Sequence, residues 1–144
     1  MAITVPTIGS EIDVVTFGKP VVDEVNRLTT LTGSNVPTAW TNAALQNGWV
    51  NLGGIQPNAM YRKVGDIVYC RGRIASGTMG LVMFNLPVGF RPPGITLSFL
   101  VGSIVAANWA PGIVEVDNAG DVKAFGPGTN GGQLLNQISF SITA

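Results

Sequence analysis

The sequence predicts a mainly β protein, an antiparallel β-sandwich of jelly-roll-like type with a short N-terminal arm and helix. Short apolar segments bounded by turn residues follow one another closely from about residue 40 to the end. The 144 residues include 19 glycines and nine prolines, which suits a chain with many tight turns. A helical pattern occurs near the N-terminus alone. We therefore predict an arm-and-helix segment at 1–36, for attachment or oligomerisation, and a sandwich at 37–144.

The N-terminal segment contains the predicted helix, at residues 19–28. Pro20 suits a first helical turn, and Asp23 and Glu24 are favourable near the positive end of the helix dipole. A helix of about three turns is marginal alone and needs a surface to pack on. That surface is either its own domain or a larger assembly, and the sequence leaves both open. Three apolar residues share one stripe and are the predicted oligomer or attachment contacts: Val21, Val25 and Leu28.

Beyond a Gly, Ser, Asn and Pro-containing linker, alternating or short apolar segments predict the strands of the sandwich. The predicted strands are 48–52, 60–64, 67–74, 81–86, 96–101, 112–116, 121–125 and 138–142. In the third of these, alternation places Val68, Cys70 and Ile74 on the core face. The opposite face then carries Tyr69, Arg71 and Arg73. Residues 117–120 are predicted to form a hairpin turn.

The composition indicates that something covers part of the surface. Hydrophobic residues make up 46% of the chain and charged residues 11%, with a net charge of zero, whereas about a quarter of an ordinary soluble domain is charged. A membrane span needs about 18 continuous apolar residues, and the best candidate, 95–116, is interrupted by polar residues and Pro111. We predict cover by partner subunits and no membrane insertion. The charge balance gives no field that would concentrate nucleic acid, so no nucleic-acid partner is predicted.

The sequence lacks the residues that most enzymatic mechanisms require. The chain contains no histidine, which excludes Ser-His-Asp and Cys-His arrangements, and its single cysteine, Cys70, is predicted to be a small buried hydrophobe. Glu115, Asp117 and Asp121 surround the predicted hairpin, where solvated charge is expected rather than a pair of catalytic carboxylates or a calcium site. The N-terminus has no basic residue ahead of its short apolar stretch and does not read as a secretory signal, so we expect synthesis in the cytoplasm. We predict no enzyme, and no catalytic, cofactor-binding or metal-binding residues.

A group of basic and aromatic residues remains as a candidate ligand or interface patch. It comprises Tyr61, Arg62, Tyr69, Arg71, Arg73 and Arg91. Arginines on a strand face can pair with a neighbouring subunit's carboxylates, and interleaved aromatic and basic side chains can also stack on sugars or bases. An oligomer interface is the first interpretation and a saccharide-binding patch the second, with Trp40, Trp49 and Trp109 as candidate stacking platforms. Nucleic-acid binding is the third.

Several short motifs follow one another in an order that resembles a known family. They are ALQNGWVNLGG at 44–54, YRKVGDIV at 61–68, LPVGFRPP at 86–93, GDV at 120–122 and ISF at 138–140. In this order they resemble the β-rich domain of minor tail proteins and receptor-binding tail proteins of tailed bacteriophages. The resemblance spans roughly residues 44–142.

The resemblance implies a β-sandwich that assembles as a trimer on the virion, at a tail tip or fibre end. It implies no enzyme and supplies no catalytic residues. The predicted function is therefore a non-enzymatic, trimeric, tail-associated virion protein of minor tail or receptor-binding type, made in the host cytoplasm. Its expected partners are copies of itself, other virion proteins and a host cell-surface saccharide. Two alternatives stay open: a capsid decoration protein on the phage head, and a host-saccharide-binding adhesin module.

Overall fold

The chain consists of two compact units, Met1–Val36 and Pro37–Ala144. The computed structural model describes Asp23, Asn26 and the ranges 35–126 and 132–143. In the first unit, Asp23 and Asn26 are helical and exposed. The predicted contact residues lie outside the described part of the chain, so their role in attachment stays a prediction: Val21, Val25 and Leu28.

The second unit is built from two antiparallel sheets packed together, which confirms the predicted mainly β sandwich. One sheet has four strands in the order β1 (Thr41–Asn42), β3 (Met60–Val64), β4 (Ile67–Arg71) and β11 (Ser139–Ser141). The other has seven, in the order β2 (Val50–Asn51), β5 (Arg73–Ala75), β10 (Gly132–Leu134), β7 (Leu97–Val105), β8 (Asn108–Val116), β9 (Asp121–Phe125) and β6 (Val82–Asn85).

The core is formed by the inward-facing residues of both sheets. Val68 and Cys70 of β4 are buried, as predicted from their alternation, and Ile74 of β5 is buried as well. They pack in one cluster with residues such as Phe84 and Val114. Burial raises the pKa of the Cys70 thiol to about 12, because the thiolate would lose its hydration. Cys70 is therefore a protonated packing residue at neutral pH.

The predicted single strand at 67–74 is wrong in one respect, because the chain leaves one sheet and enters the other at Gly72. The φ angle of Gly72 is +116°, a conformation that interrupts an extended strand and that other residues rarely adopt. The chain crosses back between β10 and β11, directly beside Gly72. There the N–H of Leu135 donates to the Gly72 carbonyl at 3.0 Å, and the Gly72 N–H donates to Asn136 Oδ1 at 2.7 Å.

The longest hairpin joins β7 and β8, which pair over nine residues each, well beyond the predicted segments 96–101 and 112–116. Its turn consists of Ala106 and Ala107, with φ angles of +47° and +65°. Two successive residues with positive φ form the type of turn that fits the twist of a two-residue hairpin. Asn and Gly usually occupy such positions, so two alanines carry no turn signal and the strand lengths were not predictable from them.

This turn gives a prediction about stability. Replacing Ala106 by Asn together with Ala107 by Gly is expected to stabilise the sandwich by about 1 kcal/mol, because both new residues tolerate positive φ better than alanine. The measurement is the midpoint of urea unfolding. Ala107→Val serves as the opposite control and should lower the midpoint, since a β-branched residue is strained at this φ. A lower midpoint for the Asn-Gly variant would contradict this account of the turn.

The predicted hairpin turn at 117–120 is confirmed. The N–H of Gly120 donates to the Asp117 carbonyl at 2.9 Å, and Asp117 Oδ1 accepts from the N–H groups of Ala119 and Asp121 at 3.0 Å each. Lys123 Nζ lies 3.0 Å from Asp117 Oδ2 and 3.1 Å from Asp121 Oδ2. Burial acts to raise the pKa of Asp117, but the hydrogen bonds from Lys123 and the backbone outweigh it and lower that pKa. These ion pairs stabilise the turn and the start of β9. Among the described residues, no group of three or more acidic or cysteine side chains could hold a metal ion.

Candidate binding surface on the four-stranded sheet

Three residues of the predicted patch lie together on the outer face of the four-stranded sheet: Arg62, Tyr69 and Arg71. The strand register brings them there, because Arg62 pairs with Tyr69 and Met60 pairs with Arg71. Since side chains alternate along a strand and Cys70 faces the core, its neighbours Tyr69 and Arg71 face outward. The sheet therefore assembles two arginines and a tyrosine from two adjacent strands.

Trp40 is the centre of this cluster. It directly precedes β1, which pairs with β3 through Thr41 opposite Tyr61. The guanidinium carbon of Arg62 lies 4.5 Å from the centroid of the Trp40 ring, and that of Arg71 lies 4.2 Å from it. Both distances suit cation–π attraction, which is strongest for tryptophan. One indole thus contacts two positive charges, and we call Trp40, Arg62, Tyr69 and Arg71 the Arg–Trp surface.

The two arginines of the Arg–Trp surface have no acidic partner within 35–126 or 132–143. The ion pairs seen there join Lys123 to Asp117 and Asp121, on β9 of the other sheet and in the turn before it. The Nε atoms of Arg62 and Arg71 are buried without a hydrogen-bond acceptor. Arg71 Nη2 contacts the sulfur of Met60 at 3.1 Å, which is a weak acceptor. The charges of the two guanidinium groups are therefore not neutralised by an acidic side chain within 35–126 or 132–143.

Ser139 lies next to Tyr69 of the Arg–Trp surface, at the edge of the sheet. Ser139 of β11 pairs with Tyr69 of β4, which pairs in turn with Arg62 of β3. The Tyr69 side chain is 38% exposed, and Ser139 is also exposed. A row of hydroxyl, aromatic ring and guanidinium thus crosses three strands. Such a row can stack on a ring, donate hydrogen bonds and hold a negative charge, but it contains no nucleophile with an adjacent base.

The other predicted patch residues lie elsewhere. Arg73 is on β5 of the seven-stranded sheet, where its guanidinium carbon is 5.4 Å from the centroid of the Trp109 ring. Tyr61 packs edge-on against Phe90, with ring centroids 5.2 Å apart. Arg91 Nε donates to the Leu86 carbonyl at 2.8 Å. The sequence grouped Arg73 with the others because it does not show that the chain changes sheets at Gly72. Tyr61 is on β3 but pairs with the buried Cys70, so it faces the core side of the four-stranded sheet.

The three tryptophans also separate. Trp40 belongs to the Arg–Trp surface, whereas Trp49 is 3% exposed and packs in the core. Trp109 is 64% exposed on the outer face of the seven-stranded sheet. A planar side chain in the core cannot act as a stacking platform for a ligand, so Trp49 is removed from the candidates.

The outer face of the seven-stranded sheet carries an exposed apolar row. Leu100 of β7 pairs with Ile113 of β8, and Ile113 pairs with Phe125 of β9. All three are exposed, and Trp109 and Pro111 of β8 lie on the same face. Contiguous exposed apolar side chains of this kind often mark a surface that binds another molecule. We call Leu100, Trp109, Ile113 and Phe125 the apolar face.

The arrangement of the two sheets can be compared with solved structures. The fold is similar to that of a phage receptor-binding protein. The crystal structure of the receptor binding protein of Listeria phage PSA superimposes with a TM-score of 0.67 and 16% sequence identity, over 94% of this chain and 83% of that one. This likeness shows that the two chains share a fold.

Sequence comparisons add no closer assignment. No protein-family model matches the chain, and no curated protein sequence matches it. In the described residues, no helix has the length and apolar character needed to cross a membrane.

Proposed function

We propose that this chain is a non-enzymatic structural protein of a bacteriophage virion, associated with the tail and of minor tail or receptor-binding type. The observation that carries the proposal is the likeness to the Listeria phage receptor binding protein over 94% of the chain. The ordered motifs at 44–54, 61–68 and 86–93 agree with it. An exposed binding surface without a catalytic arrangement suits attachment rather than turnover.

In this proposal the Arg–Trp surface contacts a saccharide of the host cell surface. It lies on strands rather than on loops, so its side chains are held by the sheet register. Tyr69 offers an exposed ring, and Ser139 offers a hydroxyl beside it. Aromatic rings that stack on sugars, next to polar groups that bind sugar hydroxyls, are a suitable combination for such a ligand.

The apolar face is proposed as the contact between three copies of the chain. An exposed row that includes Leu100, Ile113 and Phe125 would be covered in a homotrimer, and only 11% of the residues are charged. Symmetric assembly of identical subunits is the usual way to bury such a surface. The stripe of Val21, Val25 and Leu28 would then attach the trimer to other virion proteins or strengthen it.

The position on the virion is tested by immunogold electron microscopy. Antibodies raised against the purified chain are applied to particles of the phage that carries its coding sequence. Gold at the tail is the expected result. Gold over the head would instead identify a capsid decoration protein, and unlabelled particles that do not contain the chain would overturn a virion role altogether.

The trimer is tested separately by the mass of the purified chain in solution. We expect light scattering to give three times the chain mass at low micromolar concentration. Ile113→Asp should reduce it to the mass of one chain, because a charge would have to be buried in each contact. Val88→Asp is the matched control, since Val88 is 83% exposed on a loop and should leave the trimer intact. A wild-type monomer, or trimers of Ile113→Asp, would contradict the proposed contact.

A further inference from the structure

We infer that Arg62 and Arg71 form a binding site for an anionic group, and that the ligand of the Arg–Trp surface is an acidic polysaccharide. This inference rests on the proposed function, because it takes that surface as the one that meets the host. It adds the charge of the ligand, which neither the fold nor the likeness to another protein specifies.

Arg62 and Arg71 place two positive charges against one indole. Both guanidinium groups contact the Trp40 ring, and no carboxylate within 35–126 or 132–143 pairs with either. Neighbouring cations repel each other, and the quadrupole of one indole compensates only in part. A carboxylate or phosphate bound beside both groups would interact favourably with both charges.

The guanidinium groups of Arg62 and Arg71 have the geometry that suits an oxyanion. A guanidinium presents its N–H donors in a planar fork that matches the oxygens of a carboxylate or phosphate, and such charge-assisted hydrogen bonds are about twice as strong as neutral ones. The Nε atoms of Arg62 and Arg71 are buried, so a ligand would bind the terminal Nη groups. Within 35–126 and 132–143 the one hydrogen-bond partner of these groups is the sulfur of Met60, on Arg71 Nη2.

The side chains of Arg62 and Arg71 are held in place before a ligand binds. The Trp40 ring restrains both guanidinium groups, and Met60 contacts Nη2 of Arg71 from the adjacent strand. Arg62 lies opposite Tyr69 and Arg71 lies opposite Met60, so the two arginines start from diagonal positions of β3 and β4 that the sheet register fixes. A ligand then loses little free energy to ordering these side chains.

The form of the site favours a polysaccharide over a nucleic acid. Binding along a nucleic-acid backbone uses a series of phosphate contacts, whereas this surface offers two neighbouring cations on a chain with zero net charge. Other basic side chains lie elsewhere: Arg73 is on the other sheet, over Trp109, and Arg91 donates to the Leu86 carbonyl. Tyr69 and Ser139 instead place a ring and a hydroxyl beside the charges. An acidic sugar followed by neutral hydroxyl-bearing sugars fits this sequence of groups.

The test is a binding measurement on the full chain by biolayer interferometry, with three immobilised polysaccharides. Polygalacturonate carries carboxylates, a phosphorylated mannan carries phosphates, and dextran is neutral. We expect binding to one or both acidic polymers and at least tenfold weaker binding to dextran. Which acidic polymer binds more tightly identifies the source of the anion, and a preference for either supports the inference. Binding should also weaken as the salt concentration rises, a readout that requires no variant.

Variants then assign the site. Arg62→Gln and Arg71→Gln should each weaken binding by about tenfold or more, as expected for the loss of charged hydrogen bonds. Arg73→Gln is the matched control, because Arg73 also lies against a tryptophan ring but on the other sheet, and it should bind like the wild type. Circular dichroism verifies that each variant is folded.

Three results would overturn the inference: equal affinity for dextran and the acidic polymers, no binding to any of them, or the same affinity in the wild type and in folded Arg62→Gln and Arg71→Gln. Tighter binding of a single-stranded DNA oligonucleotide through the same arginines would overturn it as well, in favour of a nucleic-acid site. Immunogold labelling distinguishes this failure from failure of the proposed function. Labelled tails without a preference for anions contradict the ligand only, whereas anion binding by a chain missing from the virion contradicts the function.

Discussion

Replacement of Gly77 by alanine is expected to destabilise the sandwich by roughly 3 kcal/mol. A methyl group at this position would overlap the ring atoms Cγ, Cδ1 and Cδ2 of Trp49. Trp49 is 3% exposed and packs in the core, so its ring has no free space into which to move. Inserting atoms into a packed core typically costs 1–3 kcal/mol, and the depth of this overlap points to the upper end.

Urea unfolding of the purified variants measures this effect. Gly53→Ala is the matched control, because nothing lies within 4 Å of its added methyl group and only its φ angle of +77° disfavours the change, by about 1 kcal/mol. The double variant Trp49→Leu, Gly77→Ala should be more stable than the sum of the single effects predicts, since the smaller side chain relieves the overlap. If Gly77→Ala loses no more stability than Gly53→Ala, the close packing of Trp49 on Gly77 is incorrect.

Gly72→Ala is expected to be at least as damaging, for a different reason. An added methyl group would overlap the carbonyl of Asn58 and approach the backbone nitrogen of Ala59 to 2.7 Å. These are backbone atoms, so no side chain can rotate to make room. The φ angle of +116° disfavours alanine in addition. A loss of about 3 kcal/mol or more follows from the two effects together.

The measurement for Gly72 uses the same unfolding assay, with Gly94→Ala as its control. Gly94 also has a positive φ, +65°, but no atom lies within 4 Å of its added methyl group. The difference between the two variants isolates the overlap from the backbone strain. A Gly72→Ala protein as stable as Gly94→Ala would show that the chain does not cross between the sheets in the described way.

Much of the fold follows from local pattern. The predicted strands 60–64 and 121–125 have the same bounds in the structure, because each is a short segment between turn residues. The strand Gly132–Leu134 was not predicted, because it directly follows a Gly-rich stretch and has only three residues. Its partners, Ile74 and Ser103, are distant in sequence, and pairing over such distances leaves no local signal.

The candidate site was predictable only in its residue types. Alternation indicates that Tyr69 and Arg71 face outward, and both do. It cannot show that Arg73 belongs to another sheet, because that depends on the backbone conformation of Gly72. Nor can it place Trp40 against two arginines, since this contact arises from the pairing of β1 with β3 across some twenty residues.

The crossing at Gly72 has a mechanical consequence. Strand β4 pairs with β11 in one sheet, and β5, which continues the same chain, pairs with β10 in the other. The hydrogen bonds from Leu135 to Gly72 and from Cys70 to Ile138 continue this pairing through the corner between the layers. Both sheets therefore share one bent, hydrogen-bonded ribbon. A pull on the four-stranded sheet is carried into the seven-stranded sheet along the backbone, and the layers cannot peel apart without rupturing it.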